Sequence, residues 1–220
     1  MHYLERSRLH RLQIKSDIKM IKAIIFDIGG VVIDDDFISY AQKFTRKARM
    51  AAKEIYLSVI GSKEWNLYFK DKLTEKQVWS EIKRKYLPPL VADEIRRTWK
   101  SILVPISSTV ELIKRLKPGY RIYAISNVDR ETADYAIRKY SSIYGLFDGH
   151  VFSFEVGMAK PEKGIYLLAL RKFRLKPEEC VYIDNQPENL PPAQEIGIKA
   201  IKFQGAEKLK QQLKDLGIKF

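Results

Sequence analysis

Short apolar runs that stop abruptly recur along this chain. Residues 23–26 read Ala-Ile-Ile-Phe, end on Asp27 and are followed by Gly29 and Gly30. Similar runs occupy 121–125, 150–154, 181–183 and 200–203. Runs of this length, bounded by glycine, proline or acidic residues, predict strands buried on both faces of a parallel sheet. Between them the pattern changes to apolar positions three and four apart, which predicts helices. Ser107 or Ser108 caps one that runs to 117, and others are expected at 130–139, 162–173, 192–196 and 207–216. Strand and helix then alternate to the end of the chain. Such alternation predicts the α/β class, a Rossmann-like parallel sheet with helices on both faces.

One stretch breaks the alternation. From 39 to 101 the pattern is helical throughout, with Phe44, Met50, Ala51, Ile55, Val59 and Ile60 at amphipathic spacing. Trp65, Tyr68 and Phe69 form an aromatic cluster there, readable as packing or as contacts to a ligand. Thr74 is placed to cap a new helix, Leu87-Pro88-Pro89 breaks it, and 92–100 resumes it. The expected organisation is a basic extension at 1–19, a core domain of 20–38 with 102–220, and an inserted helical domain at 39–101. A true start of the chain at Met20 is one reading, because the core pattern begins there. A short docked helix carrying Leu4, Leu9, Leu12 and Ile18 is the other reading of the extension.

Composition narrows the classes. The chain has 220 residues, 45% of them apolar, enough for one sizeable core plus an insertion. No run approaches the roughly 18 apolar residues of a membrane helix. Residues 1–19 are charged throughout, unlike a secretory signal. The single cysteine, Cys180, opens a predicted core strand and reads as a small buried residue, which suits a reducing cytoplasm. The net charge of +13 is spread over helical faces such as Lys43, Arg46, Lys47, Lys53 and Lys83–Lys85. It describes a solvated surface rather than a nucleic-acid site, and it attracts anionic small molecules. His2, His10 and His150 have no metal-ligand spacing. There is no nucleophile elbow, phosphate-binding glycine loop or dinucleotide fingerprint.

The chemistry sits at the strand ends, where ligands of open α/β sheets bind. Asp27 ends the first strand, Ser126 and Asn127 end the second, and Asp184 and Asn185 end the strand at 181–183. Gly157-Met158-Ala159-Lys160-Pro161 precedes a helix. This ordered set, spanning about 20–203, resembles the motifs of the haloacid dehalogenase-like hydrolases. Within them it is most similar to the glucose-1-phosphatase-like branch, related to the N-terminal phosphatase domain of soluble epoxide hydrolase.

The resemblance implies a magnesium-dependent phosphohydrolase acting on a small phosphorylated metabolite, with a sugar phosphate as one option. Asp27 would be the nucleophile and would form an aspartyl-phosphate. Lys160 would neutralise charge, and Ser126, Asn127 and Lys160 would bind the phosphoryl group. Asp27, the Gly29 carbonyl, Asp184 and Asn185 would hold Mg²⁺, with Asn189 orienting that shell. The 39–101 insertion would be a cap that selects the substrate. Arg130 is a further candidate phosphate clamp, beside Asp129. No membrane or nucleic-acid partner is expected, and the oligomeric state is left open.

Two departures from the family pattern bear on activity. Gly29 stands where most phosphatases of the superfamily carry a second aspartate, the general acid/base. Asn185 stands where they carry an acidic metal ligand. Both predict weakened turnover. Asp34-Asp35-Asp36 is one possible source of a replacement acid, with solvated loop acids the preferred reading. Two alternatives stay open: an inactive binding module, and a metal-independent 2-haloacid dehalogenase.

Overall fold

A computed structural model describes residues 20–220. The expected extension at 1–19, with His2 and His10, lies outside the described residues. Five strands make one parallel sheet: β1 (Ala23–Phe26), β4 (Arg121–Ser126), β5 (Gly149–Phe152), β6 (Cys180–Asp184) and β7 (Lys199–Lys202). Their order is β5-β4-β1-β6-β7. β1 is central, with Phe26 level with Ala124 of β4 and Ile183 of β6. Two short strands, β2 (Ile33–Asp34) and β3 (Val104–Pro105), pair antiparallel beside it.

Alternation along β1 explains the layers. Ile24 and Phe26 face one cluster with Ile122, Ala124, Val181 and Ile183. Ala23 and Ile25 face the other with Tyr123, Ile125, Cys180 and Tyr182. The first face is covered by helices Ser107–Leu116 and Ala206–Asp215, through Leu112, Ile113, Leu209 and Leu213. The second is covered by Lys163–Phe173 and Leu190–Glu195, through Ile165, Tyr166, Ala169 and Ala193. Every residue of β1 is fully buried, so the unbroken apolar run in sequence is what a two-sided sheet requires. Cys180 is buried in this core, as expected.

Between β2 and β3 the chain is helical: α1 (Phe37–Ala41), α2 (Thr45–Ala48), α3 (Ala52–Ser58), α4 (Lys63–Phe69), α5 (Glu75–Lys85) and α6 (Pro89–Thr98). Thr74 caps α5 in a reciprocal box with Gln77, as its position predicts. Pro89 opens α6 instead of merely breaking the chain, because a proline at the first helical position gives up an N–H that would have no partner there. The strand expected at 150–154 stops at Phe152. Ser153 Oγ instead accepts from Val128 N and donates to Val128 O, both at 3.0 Å, and a short helix begins there.

Trp65, Tyr68, Phe69, Trp79 and Trp99 pack edge to face around Trp65, at ring-centre distances of 5.3–6.2 Å. This cluster belongs to the same apolar network as Ile24 and Phe26 of the sheet. Trp79 is fully buried within it. Trp79→Ala is expected to lower stability by about 3–5 kcal/mol, read from urea denaturation.

Candidate active site

The chain turns tightly after β1. The Ile28 carbonyl accepts from Val32 N and Ile33 N, both at 2.9 Å, and Gly30 N donates to Ile33 O at 2.8 Å. Gly30 has φ +67°, and a Cβ there would lie 2.1 Å from Asn185 Nδ2. Only glycine therefore permits both this turn and the approach of the β6 loop. The turn holds Asp27 at the sheet's carboxyl edge, where Asp27 N donates to Ile183 O at 2.8 Å.

Three of the predicted side chains converge there. Lys160 Nζ lies 2.8 Å from Asp27 Oδ1 and 2.8 Å from Asp184 Oδ2. All three residues are buried. Ser126, also buried, lines the same recess of about 200 Å³ as Asp27, Asn127 and Lys160. Two carboxylates facing one ammonium leave the cluster one positive charge short. Burial pushes the Asp27 carboxyl up to about 8; the Lys160 charge opposes this and the Asp184 charge adds to it. Lys160 is held above its ordinary value, because its two carboxylate partners outweigh the cost of burial.

Two of the expected site residues are held by neighbouring groups. Asp184 is held through both carboxylate oxygens. Its Oδ2 accepts from Lys160, from Asn189 Nδ2 at 3.0 Å and from the Tyr182 hydroxyl, and its Oδ1 accepts from Gln186 N at 2.8 Å. With both oxygens engaged by donors, Asp184 orients Lys160, and Asn189 orients Asp184. The Asn127 side chain is in use as well, and the phosphate contact expected there is its backbone N–H, next to Ser126. The side-chain amide clasps the Lys160 backbone, donating to Lys160 O at 2.9 Å and accepting from Lys160 N at 2.8 Å.

Arg130 also lies elsewhere than the clamp reading placed it. Its guanidinium bonds Asp71 at 3.1 Å and stacks over Phe154. With Lys70–Glu162 at 2.6 Å and Tyr68–Glu131 at 2.5 Å, it fastens the helical insertion to the sheet domain. Asp129 caps the helix Arg130–Lys139 through Thr132.

Sequence reasoning undervalued Asp35. Asp36 is the helix cap of α1 and accepts from Ser39 N at 3.0 Å, and Asp34 accepts from Asp36 N at 3.2 Å. Asp35, between them, turns the other way. A Cβ built on Gly29 would lie 2.3 Å from Asp35 Oδ2, so this carboxyl occupies the space a side chain at 29 would fill. Crowding by protein, and then the charges of Asp34 and Asp36, push it up to about 6, although water still reaches it from the cleft. All three acids are exposed, as the solvated-loop reading expects, and Asp35 in addition reaches the space beside Gly29. Alternation was the available signal, since consecutive residues in extended chain face opposite ways.

The remaining oxygens suit a small hard cation. Asn185 Oδ1 is buried without a partner among the described residues. With an Asp27 oxygen and the Gly29 carbonyl it would offer oxygen donors of the kind Mg²⁺ takes.

Comparison with known proteins fixes the family. The model for haloacid dehalogenase-like hydrolases matches residues 21–197. The chain belongs to that family. It is 25% identical to a sesquiterpene phosphatase of Aspergillus oryzae, over 80% of this chain and 87% of that protein. It is 23% identical to a D-ribitol-5-phosphate phosphatase of Bacteroides thetaiotaomicron, over 88% and 97%. Against a drimenol cyclase of Aspergillus calidoustus, 23% identical, it spans 90% of its own length but 37% of the cyclase's. Among solved structures, a predicted family hydrolase from Porphyromonas gingivalis superposes with a TM-score of 0.71 at 21% identity, covering 91% of this chain and all of that one. A magnesium complex of a family enzyme from B. thetaiotaomicron gives 0.70 at 22%, covering 89% and 99%. These likenesses establish the fold of this hydrolase. Among its described residues no helix is long and apolar enough to cross a membrane.

The Asp27 shift carries a testable sign. A carboxyl raised from 3.8 to about 8 binds its proton more tightly in the folded state than in the unfolded chain. Its contribution favours folding at low pH and is lost as pH rises from about 4 to about 8. Asp27→Asn removes that loss. The Tm of this variant relative to wild type, measured by circular dichroism in EDTA, should increase from pH 5 to pH 8. A flat difference contradicts the assigned environment.

Proposed function

We propose that this hydrolase is a magnesium-dependent phosphohydrolase that cleaves a small phosphate monoester through an aspartyl-phosphate on Asp27. The observation that carries the reading is the buried Lys160 ammonium, 2.8 Å from both Asp27 and Asp184 at the sheet edge. The phosphatase relatives support the reaction class. Their named substrates, a sesquiterpene and ribitol 5-phosphate, differ enough that they do not select one here.

In this mechanism an Asp27 carboxylate oxygen attacks phosphorus and the bond to the leaving oxygen breaks. Lys160 and Ser126 hold phosphoryl oxygens and offset their charge. Asp35 gives its proton to the departing alkoxide, and then takes one from the water that cleaves the aspartyl-phosphate. The carboxyl beside Gly29 thus supplies the acid/base absent from the sequence motif. Asp27, the Gly29 carbonyl and Asn185 would hold Mg²⁺, which when bound would supply the positive charge that the cluster lacks. The helices between β2 and β3 act as the cap, and the domain division at 39–101 is part of this proposal.

This reading replaces general impairment with a specific one. Asp35 offsets the loss at Gly29, while Asn185 leaves the metal one ligand charge short. Phosphate release measured with Mg²⁺, Mn²⁺ and EDTA is the direct test: turnover should require the divalent ion and vanish in Asp27→Asn. Absence of release across a broad panel, with folding intact, would favour a binding module. Asn185→Asp should tighten Mg²⁺ binding by calorimetry and increase turnover at low Mg²⁺; no gain in either would refute the role given to Asn185. Asp35→Asn should slow alkyl phosphates by about 10²–10⁴-fold. It should slow p-nitrophenyl phosphate far less, because that leaving group needs no proton. Equal losses on both would show that Asp35 does not protonate the leaving group.

A further inference from the structure

The recess that holds Asp27 and Lys160 opens into a second, larger lobe of about 250 Å³. The two share Gly29, Asp35, Tyr56, Ile60, Phe69 and Ser126, so anything bound by its phosphate at Asp27 projects its other end into this lobe. Its far wall is built from Phe37, Trp65, Trp99 and Leu103, all buried, with Phe69 and Ile38 at the side.

Several polar groups along the lobe are engaged by neighbours, and the rings of Tyr56 and Tyr144 line it with their hydroxyls as further polar atoms. Asp36 is tied to Ser39, and Asp129 to Thr132. The Asn127 amide is tied to Lys160. Trp65 Nε1, buried without a partner among the described residues, adds a donor to the wall but no acceptor. Asp35, Asn185 and Gln186 cluster at the phosphate end. A polyol pushed into this lobe would lose water from several hydroxyls and meet rings and methyl groups in exchange, which is unfavourable. An alkyl or isoprenyl chain would lose nothing polar and would bury its surface against the same wall.

We propose that the lobe binds the alcohol portion of the substrate and that this alcohol is apolar. The enzyme's preferred substrates are then phosphate monoesters of alkyl or isoprenyl alcohols, in place of the sugar phosphate that the family resemblance offered. The inference rests on the phosphohydrolase reading for turnover, but the lobe's preference can be measured separately from it.

The test compares octyl phosphate and geranyl phosphate with ribitol 5-phosphate. On the wild-type enzyme with Mg²⁺, kcat/KM for the two apolar esters should exceed that for ribitol 5-phosphate by roughly tenfold or more. Ile60→Asn with Ile38→Ser, at one partly exposed and one exposed wall position, should lower that ratio by about tenfold, with the fold checked by circular dichroism. Binding is read in parallel on the Asp27→Asn variant, from the emission of Trp65 and Trp99 on the wall. Tighter binding of octyl phosphate than of ribitol 5-phosphate supports the lobe assignment even if no ester is hydrolysed, in which case the phosphohydrolase reading alone fails. A ratio near one, or a preference for ribitol 5-phosphate in both turnover and binding, overturns the inference.

Discussion

One ammonium held between two buried carboxylates is the constraint around which this molecule is arranged. Lys160 reaches Asp27 and Asp184 at equal distances, and none of the three is open to bulk water. Removing Lys160 would leave two buried carboxyl groups without their positive partner, which typically costs several kcal/mol. The surroundings are built to keep the arrangement in place. Asn127 grips the Lys160 backbone from β4, and Tyr182, Asn189 and Gln186 saturate Asp184 from β6. The sheet then sets the spacing, because β4 and β6 flank β1 in register.

The same cluster is electrostatically incomplete. Two negative groups face one positive group, and burial, with the Asp184 charge adding to it, raises the Asp27 carboxyl above its ordinary value. A nucleophile of this kind works as the carboxylate, so the site is poised to gain from added positive charge. Asn185, with its buried and unpartnered oxygen, stands at the edge where such charge would enter. Stability and chemistry pull in opposite directions here, as they commonly do where charged groups are held for function.

The turn after Asp27 links this electrostatic centre to the substrate space. It brings β2 back across Gly29 and delivers Asp35 into the gap left by the missing side chain. The helical insertion starts immediately afterwards and is fastened to the sheet domain through Arg130–Asp71, Lys70–Glu162 and Tyr68–Glu131. Its aromatic cluster serves two purposes at once. Trp65 and Trp99 are core residues of the insertion and also wall residues of the lobe above the nucleophile. Packing is what these side chains show, and the same rings line the lobe.

Much of this was legible in the chain itself. Apolar runs buried on both faces can only be inner strands, so the strands around Asp27, Ser126 and Asp184 followed from pattern, as did the helices between them. The order of Asp27, Ser126, Lys160 and Asp184 along those elements pointed to one shared edge. Local pattern could not say which oxygen faces which donor. That Asp184 takes Lys160, Tyr182, Asn189 and Gln186 as donors, and that the Asn127 amide lies on the Lys160 backbone, is not visible in the sequence. Arg130 and Asp35 were ambiguous for the same reason: their partners, Asp71 and the backbone at Gly29, depend on how the insertion and the β2 turn fold back. Periodicity fixes which way a residue points within its own element; the groups it meets are set by long-range packing, and that was decided only by the tertiary structure.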